Sequence, residues 1–436
     1  MLNDNTGLKT ARYCLRGAAV LHGIASLAMI IDALKILFGG IPGQLVIQIT
    51  NYCNGACPQC GMRKTSDIAR HRLPVEIIKA AVAQCAENGV EAVSFTGGEP
   101  FIDIRAIIDL LDYAGRAKTP YLRTGTNGYM LAGVDYERIA EFADRLASTK
   151  VRNFWISMDS ADAVTHEAMR GLPGVVEGIK RALPVFHARG IYPAVNLGIN
   201  RNISGEAIDR ISGPGDDERF FEAFKADFHA FFTRVIDMGF TTANVCYPMS
   251  SGNEALGNPA YGAISGDFAV SFTPEELRLI FRALLEIIPE FRNKIRIFTP
   301  LSVLYAMSQG NPALLFPCLG GVRFFYMDSR DGHIYPCGFL GELDLGDDLK
   351  TALRKSRDVI PHCMKCHWEC FRDPSQLFGM ARYIIMHPIR TFFLKRIDPV
   401  LLKLWFGDIK YYLQCGLFDG RTQRFTWGNC AAPVKC

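Results

Sequence analysis

From Gln44 onward, short β-rich runs alternate with longer stretches of helical periodicity. The runs QLVIQIT (44–50), EAVSFT (91–96), YLRTGT (121–126), NFWISMD (153–159), YPAVNLGI (192–199) and TTANVCYPM (241–249) read as strands. Helices are predicted between them over 74–89, where Pro opens and Gly closes the segment, and near 102–117, 136–148, 175–188 and 216–239. Six strands alternating with helices predict βαβ units, a parallel sheet and right-handed crossovers. Six units fall short of the eight in a closed TIM barrel. The expected fold class is therefore α/β, a partial (β/α)6 TIM-like barrel, with an open doubly wound sheet as the alternative.

Past the strands the pattern changes. A Gly/Ser/Asn/Pro-rich stretch at 250–266 reads as a boundary or long loop, and Thr273 with Glu276 forms a capping box that starts another helix. RFFYMDSRDGHIYPC (323–337) reads as a hairpin turning at DSRDG. The expected layout is an apolar or amphipathic helical segment at 1–43, the barrel at 44–250, a linker and helical region at 251–310, a smaller domain of a short hairpin plus helices at 311–375, and an apolar, basic helical tail at 376–436. The apolar run 17–31 is short for a membrane span, which needs about 20 residues. It suits a buried or interfacial helix, and 378–413 allows the same two readings.

Composition narrows the class. The 436 residues are 49% hydrophobic and 21% charged, as in a core-forming chain, and the net charge of +4 comes with no dense basic run, so nucleic acid is not called for. Fourteen cysteines bunch around C-x2-C spacings, which favours metal binding over a secreted disulfide framework.

Cys53, Cys57 and Cys60, spaced C-x3-C-x2-C, directly follow the first strand, where the loops of α/β enzymes carry their active sites. Three soft thiolates suit a catalytic zinc with one open position or an iron–sulfur cube with one free iron; spacing alone leaves both open. The second strand ends in Gly97, Gly98, Glu99 and Pro100, where two glycines let backbone approach a ligand closely. A tight strand-to-helix turn would use the same residues.

Together the two motifs resemble the radical S-adenosylmethionine (SAM) superfamily, over about 44–249. Thr126-Asn127-Gly128 after strand three, SMDS at 157–160 and HEAMRG at 166–171 extend the match in register. The resemblance implies that Cys53, Cys57 and Cys60 ligate a [4Fe–4S] cluster whose free iron binds SAM. It implies that Gly97–Pro100 meets the SAM amino group, that Thr126 and Asn127 belong to the cofactor site, and that Ser157 meets ribose or carboxylate. Asn196 and Arg201 are weaker cofactor candidates, and Arg170 reads as a solvated helix charge. In the family an electron from the cluster splits SAM into methionine and a 5′-deoxyadenosyl radical, which takes hydrogen from an unactivated carbon. One departure stands out: Gln59 replaces the aromatic residue that often precedes the third cysteine, which leaves Tyr52 or Met62 to contact adenine. No catalytic acid or base is assigned.

Cys318, Cys337, Cys363, Cys366 and Cys370 make a second group. Four of them would suit a structural zinc. Beside the first motif, the order Cys, Gly-x4-Cys, C-x2-C resembles the SPASM or shortened twitch domains, which hold auxiliary clusters. That implies one auxiliary [4Fe–4S] cluster on Cys318, Cys337, Cys363 and Cys366, with Cys370 as substitute. Counting Cys415, Cys430 and Cys436 gives the eight thiols that two clusters would take. Cys14, Cys85 and Cys246 read as buried structural thiols.

The substrate is the least legible part. The apolar flanks suggest a lipid or apolar metabolite at a membrane surface, with peptide or small-molecule modification as the alternative and a zinc-bound scaffold as the non-enzymatic one. The resemblance implies a flavodoxin or ferredoxin donor. Reduced clusters imply the cytoplasm, with peripheral contact at the inner membrane face.

Overall fold

The computed structural model describes residues 43–421 apart from 65–68, 214, 249–260, 263, 357–362, 365 and 393–396. Residues 1–42 of the segment expected at 1–43, and Cys14, Cys430 and Cys436, lie outside the described residues.

Nine strands form one sheet in the order β7-β6-β5-β4-β3-β2-β1-β8-β9. The first six are β1 (Gln44–Thr50), β2 (Ala92–Gly97), β3 (Tyr121–Thr126), β4 (Val151–Ser157), β5 (Ala194–Gly198) and β6 (Thr242–Cys246). All are parallel to their neighbours. Helices α1 (Val75–Glu87), α2 (Ile104–Arg116), α3 (Tyr136–Ser148), α4 (Ala163–Arg170), α5 (Val175–His187) and α6 (Asp216–Met238) connect them. Two-faced burial explains the composition. Leu45, Ile47, Val93, Phe95, Leu122, Phe154, Ile156, Val195, Leu197 and Val245 alternate onto the helix side and join the main apolar core. The opposite face carries Gln48, Ser94, Thr96, Arg123, Ser157, Asn196 and Asn244 along the same strands, and this polar face lines the barrel lumen.

Three strands go beyond the expected six. β7 (Arg296–Ile297) is a two-residue parallel addition, too short to leave a periodic signal. The hairpin at 323–337 forms as expected, with β8 (Phe324–Met327) antiparallel to β9 (Ile334–Tyr335). It does not stand apart from the barrel, because β8 pairs in parallel with β1 from Gln44↔Phe324 to Ile47↔Met327. The Gln48 amide reinforces this seam: its oxygen accepts from Tyr326 Oη at 2.7 Å and Ser329 Oγ at 3.0 Å.

Beyond α7 (Pro274–Phe291) and α8 (Leu301–Ser308) come α9 (Leu349–Lys355), α10 (Glu369–Met386) and α11 (Pro399–Gln414). The capping box on α7 is present: Glu276 N donates to Thr273 Oγ1 and Thr273 N to Glu276 Oε2. Helix α11 buries Leu401, Leu404, Trp405, Tyr411 and Tyr412, and its buried Asp408 pairs with Arg292 at 3.0 Å while accepting from Leu301 N and Ser302 N. The described tail therefore packs on the protein through this face, although Ile385, Met386, Ile389 and Phe406 remain exposed. No helix among the described residues is long and apolar enough to cross a membrane. Residues 416–421 meet the starting ends of the strands. Gly420 N donates to Arg152 O, Tyr192 N to Gly420 O, and the Arg421 guanidinium to the carbonyls of Val151 and Thr149.

Candidate active site

The cysteine loop leaves the end of β1 and is strapped on both sides. On the β2 side, Gly98 N donates to Thr50 O and Glu99 N to Tyr52 O, both at 2.8 Å. The approach is so close that a Cβ on Gly98 would stand 2.1 Å from Tyr52 O, and one on Gly97 2.5 Å from Thr50 O. The glycines thus serve backbone packing against the thiol-bearing loop. Glu99 is buried, and its carboxylate accepts from Phe101 N at 2.9 Å, Thr126 Oγ1 at 2.9 Å and Asn127 N at 2.7 Å. Burial pushes its pKa up to about 7 despite these three donors. Glu99 therefore knits the β2 and β3 ends together. Asn127 reaches back across the loop, donating to Asn54 Oδ1 at 2.9 Å and lying 4.0 Å from Cys53 Sγ.

On the β4 side, Ala56 N donates to Arg170 O at 2.7 Å. Arg170 is not the solvated helix charge expected from sequence. It is 9% exposed, and its Nε donates to Asp159 Oδ2 at 2.8 Å. Burial opposes the guanidinium charge, but Asp159 and the nearby thiols Cys57 and Cys53 more than offset it and raise its pKa. Asp159 is 1% exposed and also binds the Gln59 amide. That contact explains the missing aromatic: Gln59 is spent on tying the loop to β4. Of the two adenine-contact candidates, Met62 is buried with its sulfur accepting from the Gln48 amide, while Tyr52 is exposed beside the loop. His166 is fully buried, accepts from Asp159 N through Nδ1, and is driven down to about 4, first by burial and then by Arg170.

The thiols converge. A Cβ on Gly55 would lie 3.4 Å from Cys57 Sγ and 3.5 Å from Cys53 Sγ, and Gly55 N donates to Cys53 Sγ at 3.3 Å. Burial first, then the mutual charge of the neighbouring thiols, pushes Cys60 up to about 12; burial likewise lifts Cys57 to about 11, against the pull of Arg170. Burial lifts the core thiol Cys85 as far, and a cationic centre bound at Cys57 and Cys60 would instead hold them deprotonated.

The second group gathers from separate segments. Cys318 N donates to Cys363 O at 3.0 Å, and the charges of Cys318, Cys363 and Cys366 all act on Cys337. Backbone N–H groups point at two of the sulfurs, Gly320 N at Cys318 Sγ and Phe339 N at Cys337 Sγ, each at 3.4 Å. Such donors suit metal-bound thiolates. Among the described residues no three His, Cys, Asp or Glu side chains close on a single-metal position. Arg372, which the sequence reading missed, is buried beside this group and donates to Phe316 O at 2.9 Å and Cys366 O at 3.1 Å. Its positive charge lowers the pKa of Cys318 and Cys366 against burial, but no spacing motif marks an arginine of this kind.

The positions of three further candidates bear on their roles. Cys370 packs on the same apolar cluster as the four thiols, with its sulfur 3.5 Å from Glu369 Oε1 and its charge acting on Cys246. Cys246 is not in apolar surroundings: the Asn196 amide donates to its sulfur at 3.0 Å, Asn244 donates to Asn196 Oδ1 at 2.7 Å, and Glu369 interacts with it. Asn196 therefore lines the lumen beside Ser157, its partner in the β4–β5 register. Arg201 is fully buried and committed elsewhere. It pairs with the capping-box Glu276 at 2.8 Å, donates to the carbonyls of Ile208, Asp209 and Ser271, and stacks on Phe272, so both of its Nη atoms are taken within the protein. Cys415 is buried with Tyr411 and Phe418, apart from the second group, whereas Cys85 is a buried core thiol as expected.

A partial parallel barrel with thiols above its first strand and a two-glycine turn above its second is the arrangement that the sequence resemblance implies for a SAM-dependent iron–sulfur enzyme. Residues 47–201 match the family model of the radical SAM superfamily. The chain is 23% identical over 354 residues to the AdoMet-dependent heme synthase of Methanosarcina barkeri, covering 78% of this chain and 87% of that one. Over 159 residues it is 23% identical to the antilisterial bacteriocin subtilosin biosynthesis protein AlbA of Bacillus subtilis, covering 36% of this chain and 34% of that one. Native anSMEcpe with bound AdoMet and Kp18Cys peptide shares the fold, with a TM-score of 0.50 at 15% identity over 83% of this chain and 98% of that one. Residues 47–201 thus carry a radical SAM domain, and the enzymes of that family use a [4Fe–4S] cluster and SAM as cofactors.

Proposed function

We propose that Cys53, Cys57 and Cys60 hold the SAM-cleaving [4Fe–4S] cluster, and that Cys318, Cys337, Cys363 and Cys366 hold one auxiliary [4Fe–4S] cluster. The observation that carries the first assignment is the double strap on the cysteine loop, which brings Gly97–Pro100, Thr126 and Asn127 around three converging thiols. When bound, that cluster supplies the electron that splits SAM and yields a 5′-deoxyadenosyl radical. The backbone at Gly97–Pro100 borders the amino-group position, Ser157 opens onto the lumen as a ribose or carboxylate contact, and Tyr52 covers the adenine. Cys370 and Cys246 stay outside both ligand sets. The zinc-scaffold alternative loses its ground in an enzyme of this superfamily.

The polar lumen, with Arg123, Asn196 and Asn244, favours a polar substrate over an apolar lipid. The relatives matched over the longest spans are heme synthases, which supports screening heme-type macrocycles first. Peptides are the second class, supported by the subtilosin biosynthesis relative. A membrane-surface substrate rests only on exposed apolar side chains such as Ile385, Met386 and Ile389. The proposed donor is a flavodoxin or ferredoxin, in the reducing cytoplasm.

Anaerobic reconstitution tests the reading. The wild type should take up about eight irons and form 5′-deoxyadenosine with dithionite, and changing Cys53, Cys57 and Cys60 to Ala should remove about four irons and all SAM cleavage. Uptake of zinc without iron, or loss of all iron from that triple variant, would overturn the assignment.

A further inference from the structure

The lumen contains a cation that no partner claims. Arg123 lies on the lumen face of β3, between the core-facing Leu122 and Thr124. Its guanidinium carbon sits 5.8 Å from the Trp155 ring centroid and 5.9 Å from that of Phe298. Trp155 is held there by a missing side chain: a Cβ on Gly125 would come within 2.2 Å of the indole. Among the described residues Arg123 makes no ion pair, and its buried Nε has no hydrogen-bond partner. Arg123 is partly buried. The buried arginines are committed elsewhere: Arg170, Arg201 and Arg292 each pair with a carboxylate, and Arg296 and Arg372 bind carbonyls, although the Nε atoms of Arg201 and Arg292 are unpartnered as well. A buried donor left unsatisfied costs about 1–3 kcal/mol, and a ligand that completed it would recover that cost.

The surroundings select the ligand. The Arg123 charge acts on Glu369 and Cys370, and Cys370 in turn acts on Tyr261, which also feels Cys60. Arg123 thus stands in the lumen within electrostatic reach of Glu369 and Cys370. One guanidinium offers a planar donor fork that fits a carboxylate two-to-two. It neutralises a single negative charge, and a phosphate dianion would bring a second charge toward Glu369. We propose that Arg123 anchors a carboxylate of the substrate in the lumen, with Trp155 and Phe298 fixing the guanidinium plane. The inference rests on the radical SAM reading and adds a substrate class to it.

The test reads Arg123 directly. The anaerobically reconstituted holoenzyme is treated with phenylglyoxal in chloride, butyrate or inorganic phosphate at matched ionic strength, and peptide mass mapping scores each arginine. Arg123 should react in chloride and be protected about fivefold by butyrate at about four times its Kd. Phosphate should protect less, and the exposed Arg219 should react equally in all three. An Arg123 that is unreactive in chloride, equally reactive in butyrate and chloride, or protected only by phosphate overturns the proposal. As a second measure, butyrate should raise the wild-type Tm, raise that of R123K less, and leave R123Q unmoved; a full rise in R123Q overturns the anchor. Neither readout needs SAM cleavage. Protection without 5′-deoxyadenosine formation would therefore sink the proposed function and leave the anchor standing, and the converse result would do the reverse.

Discussion

The two cysteine groups are assembled in different ways. The first puts its thiols on one eight-residue stretch, Cys53 to Cys60, and fixes that stretch from outside through β2, β3 and α4. The second draws thiols from residues 318, 337 and 363–366 and depends on tertiary contacts to bring them together. Each has a buried arginine beside it. Arg170 is shared with Asp159, whereas Arg372 has no carboxylate partner among the described residues, its bonds going to carbonyls and to the Met364 sulfur. The lesson is that a local motif needs strapping, while a dispersed one needs a counter-charge. If so, lesions should separate the groups cleanly.

The largest separation is expected from Arg170→Met. It strands the Asp159 carboxylate in the interior, which should cost about 3–5 kcal/mol in urea unfolding. Iron should fall at the first group only. Combining it with Asp159→Asn should recover more than half of the loss, since no charge then remains unpaired. A double variant no more stable than the single would show that the ion pair is not what holds the loop. Gly98→Ala comes next, at about 3 kcal/mol, because the added methyl collides with the Tyr52 carbonyl and backbone cannot yield as a side chain does. The expected readout is loss of first-group iron with second-group iron retained; an unchanged iron content would refute the strap. Arg372→Gln should cost about 2–3 kcal/mol through its carbonyl hydrogen bonds. It should shed iron from the second group while SAM cleavage persists. Loss from both groups would break the comparison.

Much of this was legible in the chain. The six strand–helix units follow from periodicity because the helix-facing half of each strand is apolar, and the capping box at Thr273 and Glu276 is local chemistry. The first cysteine group was legible for the same reason, since its ligand candidates and its glycine turn are short-range signals. What the sequence did not disclose depends on long-range placement. Examples are the parallel seating of β8 on β1, the capture of Gln59 by Asp159, and the action of Cys370 on Cys246. Arg170 was misjudged because an arginine in a helix reads as solvated until its buried carboxylate is located, and Arg201, offered as a cofactor contact, is committed to Glu276. Arg123 carries no motif at all, and only its unfilled donors mark it.

The smallest expected effect sharpens the comparison through pH. Glu99 ties the strap of the first group, and nothing in the second group depends on it. Burial raises its pKa in the folded protein to about 7, against an ordinary carboxylate value near 4.5. Between those values the folded state holds a proton that the unfolded state releases. The contribution to stability is therefore complete below about pH 4.5 and is lost as pH rises through about 7, a fall of about 2 kcal/mol from pH 5 to 7.5. Glu99→Gln should lower stability by a constant amount, because its amide turns a donor toward the Asn127 N–H, but it should remove this slope. The difference between wild-type and variant unfolding free energies should then shrink with rising pH. A pH-independent difference would mean that Glu99 stays ionised throughout, its three donors outweighing burial, and the strap would be a fixed charge-assisted clamp instead of one that loosens as its carboxyl group ionises.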